Sequence, residues 1–102
     1  MNTETIEIQK KSLALLAKQA ADQLGVLIDD LKDVSDDRRK PTERRYITFA
    51  LMEKAGYTHQ EIADFFNMNR ENITKALSKL KAWLKLYADL RGDHSRLLLT
   101  IL

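Results

Sequence analysis

The sequence predicts an all-α fold, a compact helical domain that contains a helix-turn-helix and a long N-terminal helix. Two observations predict it. Only three glycines and one proline interrupt 102 residues that are rich in good helix formers. Apolar residues also recur three and four positions apart, and no segment alternates apolar and polar residues as a strand does. We expect four or five helices.

The composition narrows the class of protein. With 44% apolar and 31% charged residues, the chain resembles a globular domain. It has no cysteine, which excludes disulfides and thiolate metal sites. Its first ten residues lack the order of a signal peptide, and no apolar run is long enough to cross a membrane. We expect a cytoplasmic protein without a membrane partner, a bound metal or a cofactor.

The net charge of +2 conceals an asymmetry between two parts of the chain. Residues 1–37 carry four Lys and eight Asp or Glu, a net charge of −4. Residues 38–102 carry thirteen Lys or Arg and seven Asp or Glu, a net charge of +6. We therefore treat residues 1–37 as a packing or self-associating helix and residues 38–102 as the region that meets a polyanion, within one compact domain.

The first predicted helix covers residues 5–34. Its apolar stripe has heptad-like steps of four and three residues. The stripe consists of Leu13, Ala17, Ala20, Leu24, Leu27 and Leu31. It indicates either packing on the C-terminal half of the same chain or pairing with a second copy, and the sequence leaves both interpretations open.

A polar break at residues 35–41 precedes the second predicted helix, residues 43–55. Thr42 is expected to cap it, and Gly56 stands where a left-handed residue ends a helix. Arg44 and Arg45 fall in its predicted first turn, where acidic residues are usual. That placement makes both arginines candidates for phosphate contact.

The third helix has a well-defined start. Thr58 and Glu61 have the spacing of a capping box, and Tyr57 and Ile62 have the spacing of a hydrophobic staple across it. The helix is therefore predicted to begin at His59 and to end near residue 66.

The next residues predict a tight turn into a fourth helix. Asn67 tolerates the left-handed conformation that such a turn requires, and Asn69 can cap a helix beginning at Arg70. Two helices joined by about three residues are typical of a helix-turn-helix. Ala63 is small where the two helices approach each other, and Ile73 anchors the second one.

The second helix of this motif is the predicted recognition helix, which enters the major groove of duplex DNA. Arg70 can pair with guanine, Asn69 or Asn72 with adenine, and lysines with phosphates. The N-terminus of the first motif helix offers free amides to a further phosphate. The candidate DNA-binding residues, with Arg44 and Arg45, are Thr58, His59, Gln60, Asn69, Arg70, Glu71, Asn72, Thr74, Lys75, Ser78 and Lys79.

Residues 43–80 resemble the C-terminal duplex-binding domain of DnaA-type bacterial replication initiators, which has a Trp-repressor-like fold. The likeness lies in a helix that starts with Arg44 and Arg45, a break before Tyr57, and the segments EIADFF and NRENITKAL. The resemblance implies this fold and duplex binding. The family's Asp-His-Thr-Thr-like run is replaced here by Asn-Arg-Glu-Asn at residues 69–72, so its sequence preference does not carry over.

Beyond the motif, the recognition helix is predicted to continue to about Leu90 and to end at Gly92. Asp93 then caps a last segment, in which residues 97–102 are strongly apolar. This segment can close the core, pair with another chain or dock a partner, and the sequence leaves all three open. A homodimer is one possibility, formed through this segment or through the N-terminal helix.

Two functions from different classes remain open. No nucleophile, base and orienting group occur together, so the chain is not expected to be an enzyme. The first hypothesis is a small transcriptional or mobile-element regulator that binds double-stranded DNA. The alternative is a helical protein–protein adaptor without a nucleic-acid partner. The first requires Arg70, Lys75 and Lys79 to share a surface with Arg44 or Arg45.

Overall fold

Six α-helices and no strand occur in residues 10–102, the part of the chain that the computed structural model describes. The helices are α1 (Leu13–Leu24), α2 (Ile28–Lys32), α3 (Arg39–Lys54), α4 (His59–Phe66), α5 (Arg70–Leu86) and α6 (Ala88–Ile101). The all-α class is confirmed. The six helices within residues 10–102 are more than the four or five that the sequence predicted.

The long N-terminal helix is wrong as predicted. Ser12 caps α1 by accepting a hydrogen bond from the Leu15 amide, so the helix begins well after residue 5. It ends where Gly25 adopts a left-handed conformation with φ 71°. The continuous apolar stripe concealed this break. Residues 5–9 of the predicted helix lie outside the described residues.

Helix α3 is central, because it contacts each of the other five helices. It begins at Arg39 rather than after a Thr42 cap, so the predicted start at residue 43 is wrong. Pro41 is accommodated because the first turn of a helix needs no amide hydrogen bonds. Phe49 is fully buried and meets Phe66 of α4 edge to face at 4.8 Å between ring centroids.

The bounds predicted for α4 and for the start of α5 are confirmed. Thr58 and Glu61 form the capping box, with N···O distances of 3.1 Å to the Thr58 hydroxyl and 2.9 Å to the Glu61 carboxylate. Asn67 ends α4 in the left-handed conformation, at φ 58° and ψ 49°. Three residues, 67–69, thus join α4 to α5.

The C-terminal region departs from prediction at Gly92. Helix α5 stops at Leu86 because Tyr87 is extended, and α6 runs through Gly92 without a break. The Arg91 guanidinium donates to the backbone carbonyls of Leu84 and Lys85, which satisfies the open end of α5. Burial of Leu90, Leu97 and Ile101 holds α6 on the core formed with α1, α3 and α5.

Helix α1 buries Leu16, Ala17 and Ala20 against the rest of the chain, where it contacts α3 and α6. Leu27 of the predicted stripe is 71% exposed, because it follows the break at Gly25. The pairing of two copies through this helix stays a prediction.

Candidate nucleic-acid interface

An open groove lies between the start of α4 and the first turns of α5. The capping box fixes the entry to α4, and the left-handed Asn67 turns the chain so that α5 begins nearby. Seven of the thirteen predicted DNA-binding residues line this groove, which we call the α4–α5 groove: Thr58, His59, Gln60, Arg70, Glu71, Thr74 and Lys75.

His59 links three helices across the α4–α5 groove. Its Nε2 lies 2.7 Å from Glu53 Oε2 of α3, and its Nδ1 lies 2.8 Å from Thr74 Oγ1 of α5. Because a carboxylate only accepts, Nε2 must carry a proton. The Thr74 hydroxyl is also 3.3 Å from the Arg70 carbonyl. The network fixes the orientation of a residue that was predicted to face DNA.

The α4 N-terminus already holds one negative charge. The Thr58 amide donates to the Glu61 carboxylate, and this hydrogen bond lowers the pKa of Glu61. Glu61 therefore stays ionised, which weakens the attraction of this helix end for a further anion. The side chains of α5 are the stronger candidates for phosphate contact.

A second groove lies on the other side of Lys75, between α3 and α5. We call it the α3–α5 groove, and its volume is about 270 Å³. Of the predicted residues, Arg45, Asn72, Lys75 and Lys79 line it. Lys75 borders both grooves, so the cations of α5 form one continuous surface.

The two adjacent arginines of α3 have different environments. Arg45 is only 5% exposed, and its two terminal nitrogens donate to the backbone carbonyls of Asp33 and Asp36 at 2.8 and 3.2 Å. Arg44 is half-buried and lines a different small cavity, together with Asp30 and Arg38. Both lie in the second turn of α3, so the predicted first-turn placement is wrong. Neither is a freely exposed phosphate contact.

The remaining predicted residues are exposed but lie outside both grooves. Asn69 occupies the N-cap position of α5, and its side chain forms no capping hydrogen bond. It is therefore available to a ligand. Ser78 is exposed one turn beyond Thr74 and beside Lys79.

The three cations of α5 that line the two grooves have no acidic partner within residues 10–102, and neither do Lys81 and Lys85, which line neither groove. Within residues 10–102, no ion pair or side-chain hydrogen bond engages the charged groups of Arg70, Lys75 and Lys79, which we call the unpaired trio. Glu71 is the one carboxylate among the residues that line the α4–α5 groove. The surface of α5 around these grooves is therefore positively charged.

One contributor, Glu53, and the burial of Arg45 were missed from the sequence. Glu53 orients His59, but nothing in the spacing of the two residues indicates this contact. The burial of Arg45 had a signal, because Arg45, Phe49 and Met52 stand four and three residues apart and form one buried stripe of α3. The same kind of spacing links Arg44 to the buried Ile47 and Leu51, so the pattern alone does not separate the two arginines.

Compared with known proteins, the chain matches no family model, no curated protein and no solved structure. Across residues 10–102, no three His, Asp or Glu side chains converge as metal ligands. None of the helices in this range combines the length and apolar character needed to span a membrane.

Proposed function

We propose that this protein binds double-stranded DNA, with α4, the turn at residues 67–69 and α5 acting as a helix-turn-helix. In this proposal α5 is the recognition helix. Arg70 lies in its first turn, where a side chain can reach a base edge in the major groove. Lys79 lies more than two turns further along, where it meets the phosphate backbone.

The observation that carries the proposal is the unpaired trio. A cation that already faces a carboxylate gains little from a phosphate, whereas an unpaired cation releases counterions from DNA when it binds. Arg70, Lys75 and Lys79 lie on the exposed face of a helix whose other face, including Ile73 and Leu80, is buried. The core therefore holds this cationic face in a fixed orientation.

Binding rather than catalysis is the function proposed. In this proposal, the protein binds duplex DNA as a small transcriptional or mobile-element regulator. Two-fold related half-sites would increase its specificity, because one module of this size buries little DNA surface. A homodimer through α1 or α6 is part of the proposal for that reason.

A protein–protein adaptor is the second candidate, and exposed leucines favour it. Leu99 of α6 is 84% exposed, Leu102 is 53% exposed and Leu86 of α5 is 69% exposed. Large apolar side chains in water are common at protein contact sites. An adaptor would use these leucines and would leave the unpaired trio without a role.

A binding isotherm on random-sequence duplex DNA, measured with the full chain at about 50 and 200 mM salt, separates the two functions. The DNA proposal expects a steep loss of affinity as salt rises, because each phosphate contact adds about 0.9 to the slope of log K against log salt. Absence of binding at the lower salt concentration, or an affinity that ignores salt, would support the adaptor.

A further inference from the structure

The α3–α5 groove contains a polar group that lacks a partner. Arg45, which lines the groove, is only 5% exposed, and its two terminal nitrogens already donate to backbone carbonyls. Within residues 10–102, its Nε has no hydrogen-bond partner. A buried donor without an acceptor is rare, because it has given up hydrogen bonds to water without replacing them.

The guanidinium of Arg45 also lacks a direct ion pair among the described residues. No carboxylate within residues 10–102 forms an ion pair with its guanidinium, although Asp33 and Asp36 lie near enough to act on it electrostatically. Burial lowers the pKa of Arg45, since removal from water disfavours its charged form. Lys75 and Lys79 add two further positive charges to the same groove.

The donors of α5 in this groove lie on one helix face. Asn72, Lys75 and Lys79 are three and four residues apart, so their side chains project from the same side of α5. Tyr46 and Met68 form apolar walls beside them. Apolar walls reduce the local dielectric constant, which strengthens the attraction between these cations and an anion.

We propose that the α3–α5 groove binds one phosphate group, held by Lys75, Lys79 and Asn72 above the guanidinium of Arg45. A phosphate has several strong acceptor oxygens and suits donors that converge from two helices, whereas a carboxylate has only two oxygens. The volume of about 270 Å³ accommodates such a group. The bound anion adds a counter-charge close to the buried guanidinium of Arg45, which no carboxylate pairs with directly within residues 10–102.

The phosphate has two sources with the same chemistry. It is either a phosphodiester of the DNA backbone, in which case this inference rests on the proposed duplex binding, or the phosphate of a free small molecule. Lys75 lies between the two grooves, so a backbone phosphate here would be adjacent to DNA held at the α4–α5 groove.

The test is an NMR titration of the ¹⁵N-labelled full chain with inorganic phosphate. A parallel titration with sodium chloride at equal ionic strength is the control. We expect saturable shifts of the amides of Asn72, Lys75 and Lys79 and of the Arg45 Nε–H signal. Lys79→Gln should weaken phosphate binding about tenfold, as loss of one charge-assisted contact does. Lys81→Gln is the matched control, because this exposed lysine of α5 does not line the groove.

Arg45→Gln tests the buried group directly, but it also removes support for the backbone at Asp33 and Asp36. Lys79→Gln keeps the proposal falsifiable if that variant does not fold. Shifts that never saturate, or that spread evenly over the surface lysines, would overturn the proposal. Equal phosphate affinities for Lys79→Gln and Lys81→Gln would do the same.

Competition with random duplex DNA identifies the source. If duplex displaces phosphate from the groove, the phosphodiester is the ligand; if both bind together, it is a free phosphate compound. The two proposals fail separately. If the protein binds DNA but shows no saturable phosphate binding, only the proposed phosphate site is wrong. If it binds phosphate but not DNA, only the proposed function is wrong.

Discussion

The three cations at the start of α3 differ from the three cations of α5 that line its grooves in the groups that they face. At the start of α3 every cation has an acidic partner, and we call these residues the paired trio. Arg38 Nη2 is 2.7 Å from Asp36 Oδ2, Arg39 Nε is 2.7 Å from Glu43 Oε2, and Lys40 contacts Asp89. The unpaired trio of α5 has no such partners within residues 10–102.

This difference shows why the count of basic residues was an incomplete guide. The net charge of +6 for residues 38–102 includes both trios equally. The paired trio holds α3 to the preceding loop and to α6, so its charge is largely matched within the chain. Only cations without an internal partner present their full charge to a polyanion.

The largest expected effect is the loss of stability caused by a substitution on the buried face of α5. Ile73 is fully buried, so Ile73→Ala should lower the free energy of unfolding by about 2–5 kcal/mol. Lys75→Ala, two residues away on the exposed face, should change it by less than about 0.5 kcal/mol. Urea unfolding followed by circular dichroism measures both. Similar values for the two variants would show that α5 does not divide into a structural and a binding face.

Within the unpaired trio, position along α5 should separate two roles. Arg70→Ala should lower affinity for the preferred duplex by about 1–3 kcal/mol more than for random duplex, because a base contact is lost. Lys79→Ala should weaken both alike and reduce the salt slope by roughly one. The preferred duplex comes from selection with the unmodified protein. Identical effects of both substitutions on both duplexes would mean that α5 does not read bases.

Removal of a member of the paired trio should affect stability instead of binding. Glu43 is only 2% exposed, and Arg39→Ala leaves its carboxylate with Lys40 at 3.5 Å as the remaining ion-pair partner. We expect a measurable loss of unfolding free energy, because a buried carboxylate loses its nearest partner, and an unchanged duplex affinity. Lys18→Ala, which breaks an exposed pair with Asp22, is the control and should have almost no effect. If the Arg39→Ala variant folds but binds DNA more weakly than the unmodified protein, the paired trio also contributes to binding and the proposed distinction between the trios is wrong.

The smallest expected effect is on the stability of the protein at acidic pH. The hydrogen bond from Arg38 lowers the pKa of Asp36 from 3.8 to about 2. Because the pKa is lower in the folded state, this contribution to stability is complete above 3.8 and is lost as the pH falls towards 2. Arg38→Gln should therefore flatten the decline of stability over that interval. Parallel stability curves for the variant and the unmodified protein would contradict this assignment.

Local signals predicted the α4–α5 surface well. The capping box at Thr58 and the left-handed Asn67 depend on neighbouring residues alone, so the sequence was enough to place α4 and the start of α5. Helix ends that depend on the tertiary structure were missed. Gly92 remains helical because Leu90 and Leu97 bury α6 on the core, and that packing cannot be read from a single glycine.

The candidate site was predictable to a lesser degree. Exposure of the α5 face followed from its apolar spacing, with Ile73, Leu77 and Leu80 turned inward. Pairing of charges between distant segments did not follow, because Lys40 meets Asp89 only through the packing of α3 beside α6. The convergence of Arg45 with Lys79 required the same long-range packing.

One comparison of two triple variants tests the central claim most directly. Arg70, Lys75 and Lys79 are replaced together by Gln in one variant, and Arg38, Arg39 and Lys40 in the other. The measurement is the salt dependence of binding to random duplex DNA, with folding of each variant confirmed by circular dichroism. We predict that the first variant loses about 2–3 from the slope of log K against log salt, whereas the second keeps the slope of the unmodified protein. Equal losses in both variants, or a larger loss in the second, would contradict the assignment of DNA binding to the unpaired trio of α5.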